Sequence, residues 1–209
     1  MLSPTVKNGL TLAVFAGLCA LALSLTHFTT RDRIALAQQR YVEKRLHQII
    51  PEASYTNDLY QSCVKVTRTD ALGHLTTHQV YIAKDDREPV ALAIETVTHE
   101  GYSGDIHLMV GVDINQHILG VRTLQHQETP GLGDKIDEKK SDWVLSFDGL
   151  RYAAEDDAAW QVKKDGGRFD QFTGATITPR AYVKSVRDIL IYINSHLDTI
   201  LKNKTSCRG

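Results

Sequence analysis

The chain has 209 residues, of which 42% are hydrophobic, so it can form one compact domain and still spare a separate apolar segment. Its 24 basic and 25 acidic residues give a formal net charge of -1 at pH 7. With this balance the chain has no strong net electrostatic field that would attract nucleic acid or an acidic partner. We therefore expect no nucleic-acid partner, and any binding must be explained by local sites.

The first predicted element is an apolar segment at residues 9–28, which holds no residue that is charged at neutral pH apart from partial protonation of His27. About 20 residues of helix span the hydrocarbon core of a bilayer. A cleaved signal peptide is the alternative, because Lys7 precedes the run. The run is long for a signal peptide, however, and no small-x-small cleavage site ends it. Residues 1–30 are therefore interpreted as a transmembrane anchor in the lipid bilayer.

The basic residues on either side of this anchor leave its orientation open. Only Lys7 and the amino terminus are positive on one side, whereas several basic residues follow on the other: Arg31, Arg33, Arg40, Lys44 and Arg45. A bare count favours a cytoplasmic domain, but the rule weakens when a long folded domain follows the helix.

Residues 31–51 are predicted to form a stalk helix that continues from the anchor. They are rich in good helix formers, and their apolar residues recur at helical spacing. Pro51 is expected to end the helix. Residues 52–209 are then left for one folded domain.

The pattern changes after the stalk to five short β-rich runs, at residues 63–68, 77–83, 90–97, 106–112 and 118–123. Turn-like stretches separate them at residues 70–73, 85–89 and 113–116. The connections are too short for the crossovers that parallel strands need. The runs therefore predict an antiparallel sheet.

The remaining elements are predicted in chain order as a glycine-containing loop at residues 126–134, a short helix at 135–144, a strand candidate at 160–164 and an amphipathic helix at 179–201. Residues 137–140 are interpreted as a solvated face of the short helix. The fold class is therefore α+β, with one curved antiparallel sheet packed by helices.

The cysteines and histidines do not predict a metal site. Cys19 lies in the anchor, Cys63 and Cys207 stand alone without a CxxC spacing, and the nine histidines are scattered. A Cys63–Cys207 disulfide and two free thiols both fit the sequence.

The segment at residues 170–179 joins a turn of small residues to the start of the last helix. Thr178 is predicted as the N-cap and Pro179 as the first helical residue. Backbone N–H groups at a helix start favour a phosphate, and Thr176 lies near that point. An ordinary loop before a helix is the alternative interpretation.

Two further segments suit the close approach of a ligand. Pro130 and Gly131 set a turn, and the glycines of this loop let the backbone approach a flat group. As a bare pattern, Gly131 and Gly133 make a poor dinucleotide fingerprint, and a plain turn is the alternative. In residues 101–106, Tyr102 either lines a pocket or is an exposed residue of a tight hairpin.

Residues 170–176, with the sequence Asp-Gln-Phe-Thr-Gly-Ala-Thr, resemble the D-x-x-[ST]-G-A-[TS] signature of FMN-binding domains that a flavin transferase modifies. Residues 126–133 are similar to the H-x-E-T-P-G-L-G loop of that family, and residues 101–106 to its G-Y-x-G-x-I segment. The three segments occur in the family's order behind a hydrophobic anchor. The chain thus resembles the G subunits of Rnf ion-translocating electron-transport complexes, whose domain is shared with the C subunit of sodium-pumping NADH:quinone reductase.

The resemblance implies that FMN is linked through a phosphodiester to Thr176 by a separate flavin transferase that uses FAD. Asp170 would then serve recognition or attachment, and Glu128, Thr129, Leu132 and Gly133 would set the flavin's potential. The complete set of cofactor-binding residues implied in this way is Thr176, Asp170, Thr173, Gly174, Ala175, Thr178, Glu128, Thr129, Leu132, Gly133 and Tyr102.

The resemblance also implies a place and a role for the chain. The domain would lie on the periplasmic side of the bacterial inner membrane and relay electrons among the other membrane subunits of an Rnf-type complex, with no catalytic residue of its own. A membrane-anchored FMN-binding or sensory module without a relay role is the main alternative. An unmodified structural subunit is another, and a stand-alone flavin reductase is disfavoured because no nicotinamide-binding pattern is present.

Overall fold

The computed structural model describes residues 3–69 and 75–207, so the predicted turn at residues 70–73 lies outside the described residues. The chain divides into two compact units, Met1–Tyr41 and Val42–Gly209.

Helix α1 covers Pro4–Ile49. Within the described residues it is the one helix long and apolar enough to cross a membrane, with a mean hydropathy of 2.0 in its most apolar window and none of that window buried. The predicted anchor and stalk are thus parts of one continuous helix, and it ends just before Pro51 as expected.

A five-stranded sheet forms the centre of the second unit, with β1 at Cys63–Thr69, β2 at Leu75–Asp85, β3 at Glu88–Thr98, β4 at Ile106–Asp113 and β5 at Ile118–Gln125. The strands lie in chain order, and each pairs antiparallel with the next. The predicted antiparallel sheet is confirmed. The two-residue turn between β2 and β3 has positive φ at both Asp86 and Arg87, as tight hairpins of type I′ require.

Helices cover both faces of this sheet, so most residues of β3 and β4 are buried on both sides. One face packs against α2, which spans Ile177–Lys202 and buries a stripe that includes Tyr182, Val186 and Ile193. The other face packs against Leu46 and Ile49, in the part of α1 that belongs to the second unit. The α+β fold class is confirmed.

The chain end after α2 lies along the edge of β1. The amide of Lys65 donates to the carbonyl of Thr205 at 2.8 Å, and the amide of Cys207 donates to the carbonyl of Cys63 at 3.1 Å. A disulfide joins Cys63 to Cys207. The sequence was compatible with either a disulfide or two free thiols, and the structure has the disulfide.

Two predicted elements between β5 and α2 are wrong. The short helix at residues 135–144 is replaced by 3-10 turns at Gly133–Ile136 and Asp142–Phe147. The strand at 160–164 is reduced to a single bridge from Val162 to Phe169, because a 3-10 turn at Lys163–Asp165 follows at once and Gly166 closes it with φ +92°.

The interpretation of residues 137–140 as a solvated face is correct for exposed Lys139 and Lys140 but wrong for the acidic pair at positions 137 and 138. Asp137 and Glu138 are half-buried, and each lies 3.9 Å from a guanidinium nitrogen of buried Arg45. Glu138 also pairs with buried Arg122 at 3.0 Å. Two buried arginines draw these carboxylates inward, since an unpaired buried charge is costly.

Candidate functional site

A cavity of about 300 Å³ opens at one end of the sheet. It is lined by Tyr102, Glu128, Thr129, Leu132, Gly133, Gly174, Ala175, Thr176, Ile177 and Thr178. Nine of the eleven residues predicted from the sequence are therefore brought together, and Ile177 is added. Asp170 and Thr173 do not line the cavity.

The antiparallel topology explains why three distant segments meet there. Thr98 at the end of β3 pairs with Ile106 at the start of β4, and Gln125 at the end of β5 pairs with His107. The turn at residues 99–105 and the loop after Gln125 therefore leave the sheet at the same end. Helix α2 lies across one face of the sheet and contributes its start to the same cavity.

The start of α2 differs from the prediction. The helix begins at Ile177 rather than Pro179, and Thr176 is the N-cap residue. Thr178 is fully buried in the first turn, and its hydroxyl donates to the Glu128 carboxylate rather than capping the helix. Assigning Thr178 as the N-cap was wrong because a buried acceptor 50 residues away in the sequence takes its hydroxyl.

Thr176 combines two features that matter for attachment chemistry. Its side chain makes no capping hydrogen bond, and the residue is only half-buried in the wall of the cavity. The start of α2 lies at the cavity as well, and a helix N-terminus carries a partial positive charge and backbone N–H groups without helical partners. An anionic group bonded to the Thr176 hydroxyl would be stabilised there.

Glu128 is the buried acidic residue of the cavity wall, with 4% of its surface exposed. One carboxylate oxygen accepts from the amide of Ser103 at 3.0 Å, and the other accepts from the hydroxyl of Thr178. Ser103 is a contact that the sequence analysis missed. It uses only its backbone N–H, so no side-chain pattern could have indicated it.

Two glycines of the predicted motifs lie against this carboxylate, and a Cβ at Gly101 would also overlap the carbonyl oxygen of Gly104. A Cβ added at Gly101 would lie 2.9 Å from one Glu128 oxygen, and a Cβ at Gly133 would lie 2.7 Å from the other. Real Cβ atoms do not approach so closely, so a side chain at either position would force the neighbouring atoms to shift.

Apolar side chains border the opening of the cavity and remain exposed to solvent. The exposed fractions are 68% for Tyr102, 47% for Ile177 and 40% for Leu132. Such side chains around a concave site suit a flat, mostly apolar ligand. Together with the helix start beside Thr176 and the glycine backbone of the loop, they fit the ring and phosphate of FMN.

Ion pairs tie the surrounding segments to α2. Arg180 donates to both carboxylate oxygens of Asp165, at 2.5 and 2.9 Å, and this hydrogen bonding holds the pKa of Asp165 below its usual value. Lys184 pairs with Glu100, in the turn at residues 99–105 that also carries Tyr102.

Asp170 and Thr173 lie on the surface outside the cavity. The carboxylate of exposed Asp170 pairs with Lys163 at 2.6 Å, and its carbonyl accepts from the indole N–H of Trp143 at 2.8 Å. Thr173 is exposed in the turn that leads to Gly174, whose φ is +81°. Neither residue is among those that line the cavity.

The class of protein is that of FMN-binding domains, because residues 101–191, which contribute the cavity, match the model of that domain. Residues 1–49 match the model of the RnfG N-terminal region. The chain is 52% identical to the G subunit of the ion-translocating oxidoreductase complex of Shewanella amazonensis over 191 residues, which cover 91% of this chain and 89% of the relative.

Similar proteins of the same description cover the chain from end to end. The G subunit from Shewanella oneidensis is 48% identical and that from Vibrio parahaemolyticus is 46% identical, each over 100% of this chain and 99% of the relative. The chain belongs to the G-subunit family of ion-translocating oxidoreductase complexes. The family resemblance inferred from the three motifs is thereby confirmed.

Proposed function

We propose that this chain is a membrane-anchored flavoprotein subunit that carries FMN on Thr176 and relays electrons within an ion-translocating oxidoreductase complex. The observation that carries the proposal is the position of Thr176: its hydroxyl makes no capping bond, at a helix start that lines a cavity with an exposed apolar border. Bound FMN supplies reversible electron transfer, and the protein sets its position and surroundings.

The attachment step requires a flavin transferase and FAD as co-reactant. The Thr176 oxygen forms a bond to the FMN phosphorus of FAD, the pyrophosphate bond breaks, and AMP leaves with the bonding electron pair. The hydroxyl proton passes to a base of the transferase. The partial positive charge at the start of α2 favours the phosphate there.

The other residues of the motif take separate roles in this proposal. Tyr102, Leu132 and Ile177 bind the ring and reduce its contact with water, whereas Gly133 and Gly174 let the backbone approach it. Asp170 and Thr173 lie outside the cavity, so we assign them to recognition by the transferase rather than to the resident flavin.

The chain's location is part of the proposal. Residues 9–28 would span the inner membrane once, with the FMN-binding domain in the periplasm. The Cys63–Cys207 disulfide supports this side, because disulfides persist in oxidising compartments. The names of the relatives place them in ion-translocating complexes, and we propose that this chain assembles with the other membrane subunits of such a complex.

The test is to express the full chain with a flavin transferase and measure intact mass and in-gel flavin fluorescence under denaturing conditions. We expect one FMN on the wild type and on Thr176→Ser, and none on Thr176→Ala. Thr199→Ala is the matched control, since it removes an exposed threonine of α2 that lies outside the motif and the cavity, and it should keep the label. A fluorescent Thr176→Ala chain, or an unlabelled wild type, would refute the assignment.

A further inference from the structure

Glu128 connects three segments of the cavity wall, and we propose that it is a positioning residue for flavin attachment. Its buried carboxylate clamps the first turn of α2 to the turn at residues 101–104 and so holds Thr176 at the cavity. This inference rests on the proposed function, because it concerns how the Thr176 hydroxyl is presented.

The contacts of Glu128 define the clamp. Ser103, 25 residues earlier, donates its amide to one oxygen, and Thr178, 50 residues later, donates its hydroxyl to the other. The backbone amide of Glu128 in turn donates to the ring nitrogen Nδ1 of His126 at 3.1 Å, which fixes its own loop.

The packing around Glu128 shows that the site is built to hold this side chain. The absence of a side chain at Gly133 leaves space for one of the Glu128 oxygens, and the absence of one at Gly101 leaves space for the other oxygen and for the carbonyl of Gly104. Gly133 also lies so close that an added Cβ would be 2.8 Å from the Thr178 hydroxyl oxygen. The carboxylate, both glycines and Thr178 therefore form one interlocked unit.

A buried carboxylate has a strict requirement for its partners. Removing it from water is costly unless hydrogen bonds replace the lost hydration. Here both donors are neutral, so the loss of either leaves a buried charged oxygen without compensation. A glutamine has only one acceptor oxygen, but the Thr178 hydroxyl can rotate to accept from its amide group. Glutamine should therefore preserve the clamp in part, and alanine should abolish it.

The clamp acts on Thr176 through the backbone. Thr178 lies two residues beyond it, in the first turn of the same helix, and is fully buried. The Thr176 side chain makes no capping bond of its own. The position of the acceptor hydroxyl thus depends on how firmly Thr178 is held by Glu128.

The experiment incubates the full-length chain with the transferase and FAD. The rate of flavin attachment is measured from the increase of in-gel fluorescence with time. We expect Thr178→Ser to react like the wild type, since it keeps the hydroxyl. Thr178→Val and Glu128→Ala should react about tenfold more slowly or worse, in line with the loss of a hydrogen bond to a charged group, and Glu128→Gln should lie between. Glu138→Gln is the matched control, because it alters a half-buried carboxylate outside the cavity.

Two further measurements separate positioning from general stability. Hydrogen exchange of the unlabelled chain should be faster at residues 174–180 in Thr178→Val and Glu128→Ala, and unchanged there in Glu138→Gln. Thermal unfolding midpoints show how far each variant is destabilised. Glu138→Gln removes a charge that pairs with two buried arginines, so if lower stability alone slowed attachment, this variant would be slow as well.

The outcomes are distinct for the two proposals. An unlabelled wild type would refute Thr176 as the acceptor, and the exchange data would still decide whether the clamp exists. A labelled wild type with Thr178→Val and Glu128→Ala reacting at its rate would overturn the positioning role. Slowing that Thr178→Ser rescues, with faster exchange at the start of α2, would support it.

Discussion

At the residue scale, the glycines of the cavity wall explain much of its shape. Gly133 leaves space for Glu128 and Thr178, and Gly101 leaves space for the carbonyl of Gly104 and one oxygen of Glu128. Gly131 and Gly174 instead have positive φ angles of 78° and 81°, which favour glycine. The same residue type thus serves two different needs in one site: close approach to another atom, and a left-handed backbone.

These two needs predict different responses to substitution. Gly133→Ala should cost about 1–3 kcal/mol of unfolding free energy, because its Cβ would press on Glu128 and Thr178. Gly131→Asn should cost about 1 kcal/mol or less, since nothing lies within 4 Å of its added Cβ and asparagine tolerates a left-handed backbone. Urea unfolding of the full-length chain in detergent measures both, and equal costs would contradict this account.

At the element scale, the end of α1 is part of the folded domain. A Cβ at Gly111 would overlap Cγ2 of Ile49, and Gly111 pairs across the sheet with Gly120, where an added Cβ would lie 3.5 Å from Cγ1 of Ile49. The paired glycines therefore form a depression in the sheet that Ile49 fills. Arg45 adds ion pairs with Asp137 and Glu138 one helical turn away.

This packing predicts coupling between the two sites. Ile49→Ala should cost about 2–5 kcal/mol because it leaves a cavity, and Gly111→Ala should cost about 1–3 kcal/mol because it overpacks the same space. In the double variant the new methyl group fills part of the emptied space, so the combined cost should be smaller than the sum. Urea unfolding of all four chains closes this cycle. Additive costs would mean that the two residues do not share a contact in solution.

At the scale of the whole molecule, the disulfide links the chain end to the first strand of the sheet. Cys63 and Cys207 are 144 residues apart, so their bridge closes most of the domain into one loop. Closing a long loop in the unfolded chain stabilises the fold, and losing such a bridge costs about 2–5 kcal/mol. The bridge also keeps residues 205–207 against the edge of β1.

A periplasmic domain predicts that this bridge forms in cells. In spheroplasts, Cys63 and Cys207 should resist alkylation until a reductant is added, and added protease should digest residues beyond the anchor. Cys19 is the internal control: it is free and lies in the apolar part of α1, so its alkylation should not depend on the reductant. Alkylation of both cysteines without reductant, together with protection from protease, would place the domain in the cytoplasm.

The sequence by itself determined the parts of this protein that depend on local pattern. Apolar composition gave the long first helix, alternation with short turns gave the antiparallel strands, and helical periodicity gave α2. The resemblance of three segments to family motifs identified most of the cavity wall, whereas their local pattern alone left a plain turn or an ordinary loop open.

Only the tertiary structure decided features that depend on residues far apart in sequence. It moved the start of α2 to Ile177, because Glu128 takes the hydroxyl of Thr178, and it placed Asp170 outside the cavity. It also turned Asp137 and Glu138 inward toward Arg45 and joined Cys63 to Cys207. Apart from Asp170, whose partner Lys163 is only seven residues away, these features share one physical reason. A polar group or thiol pairs with the partner that folding brings near, and local sequence does not specify that partner.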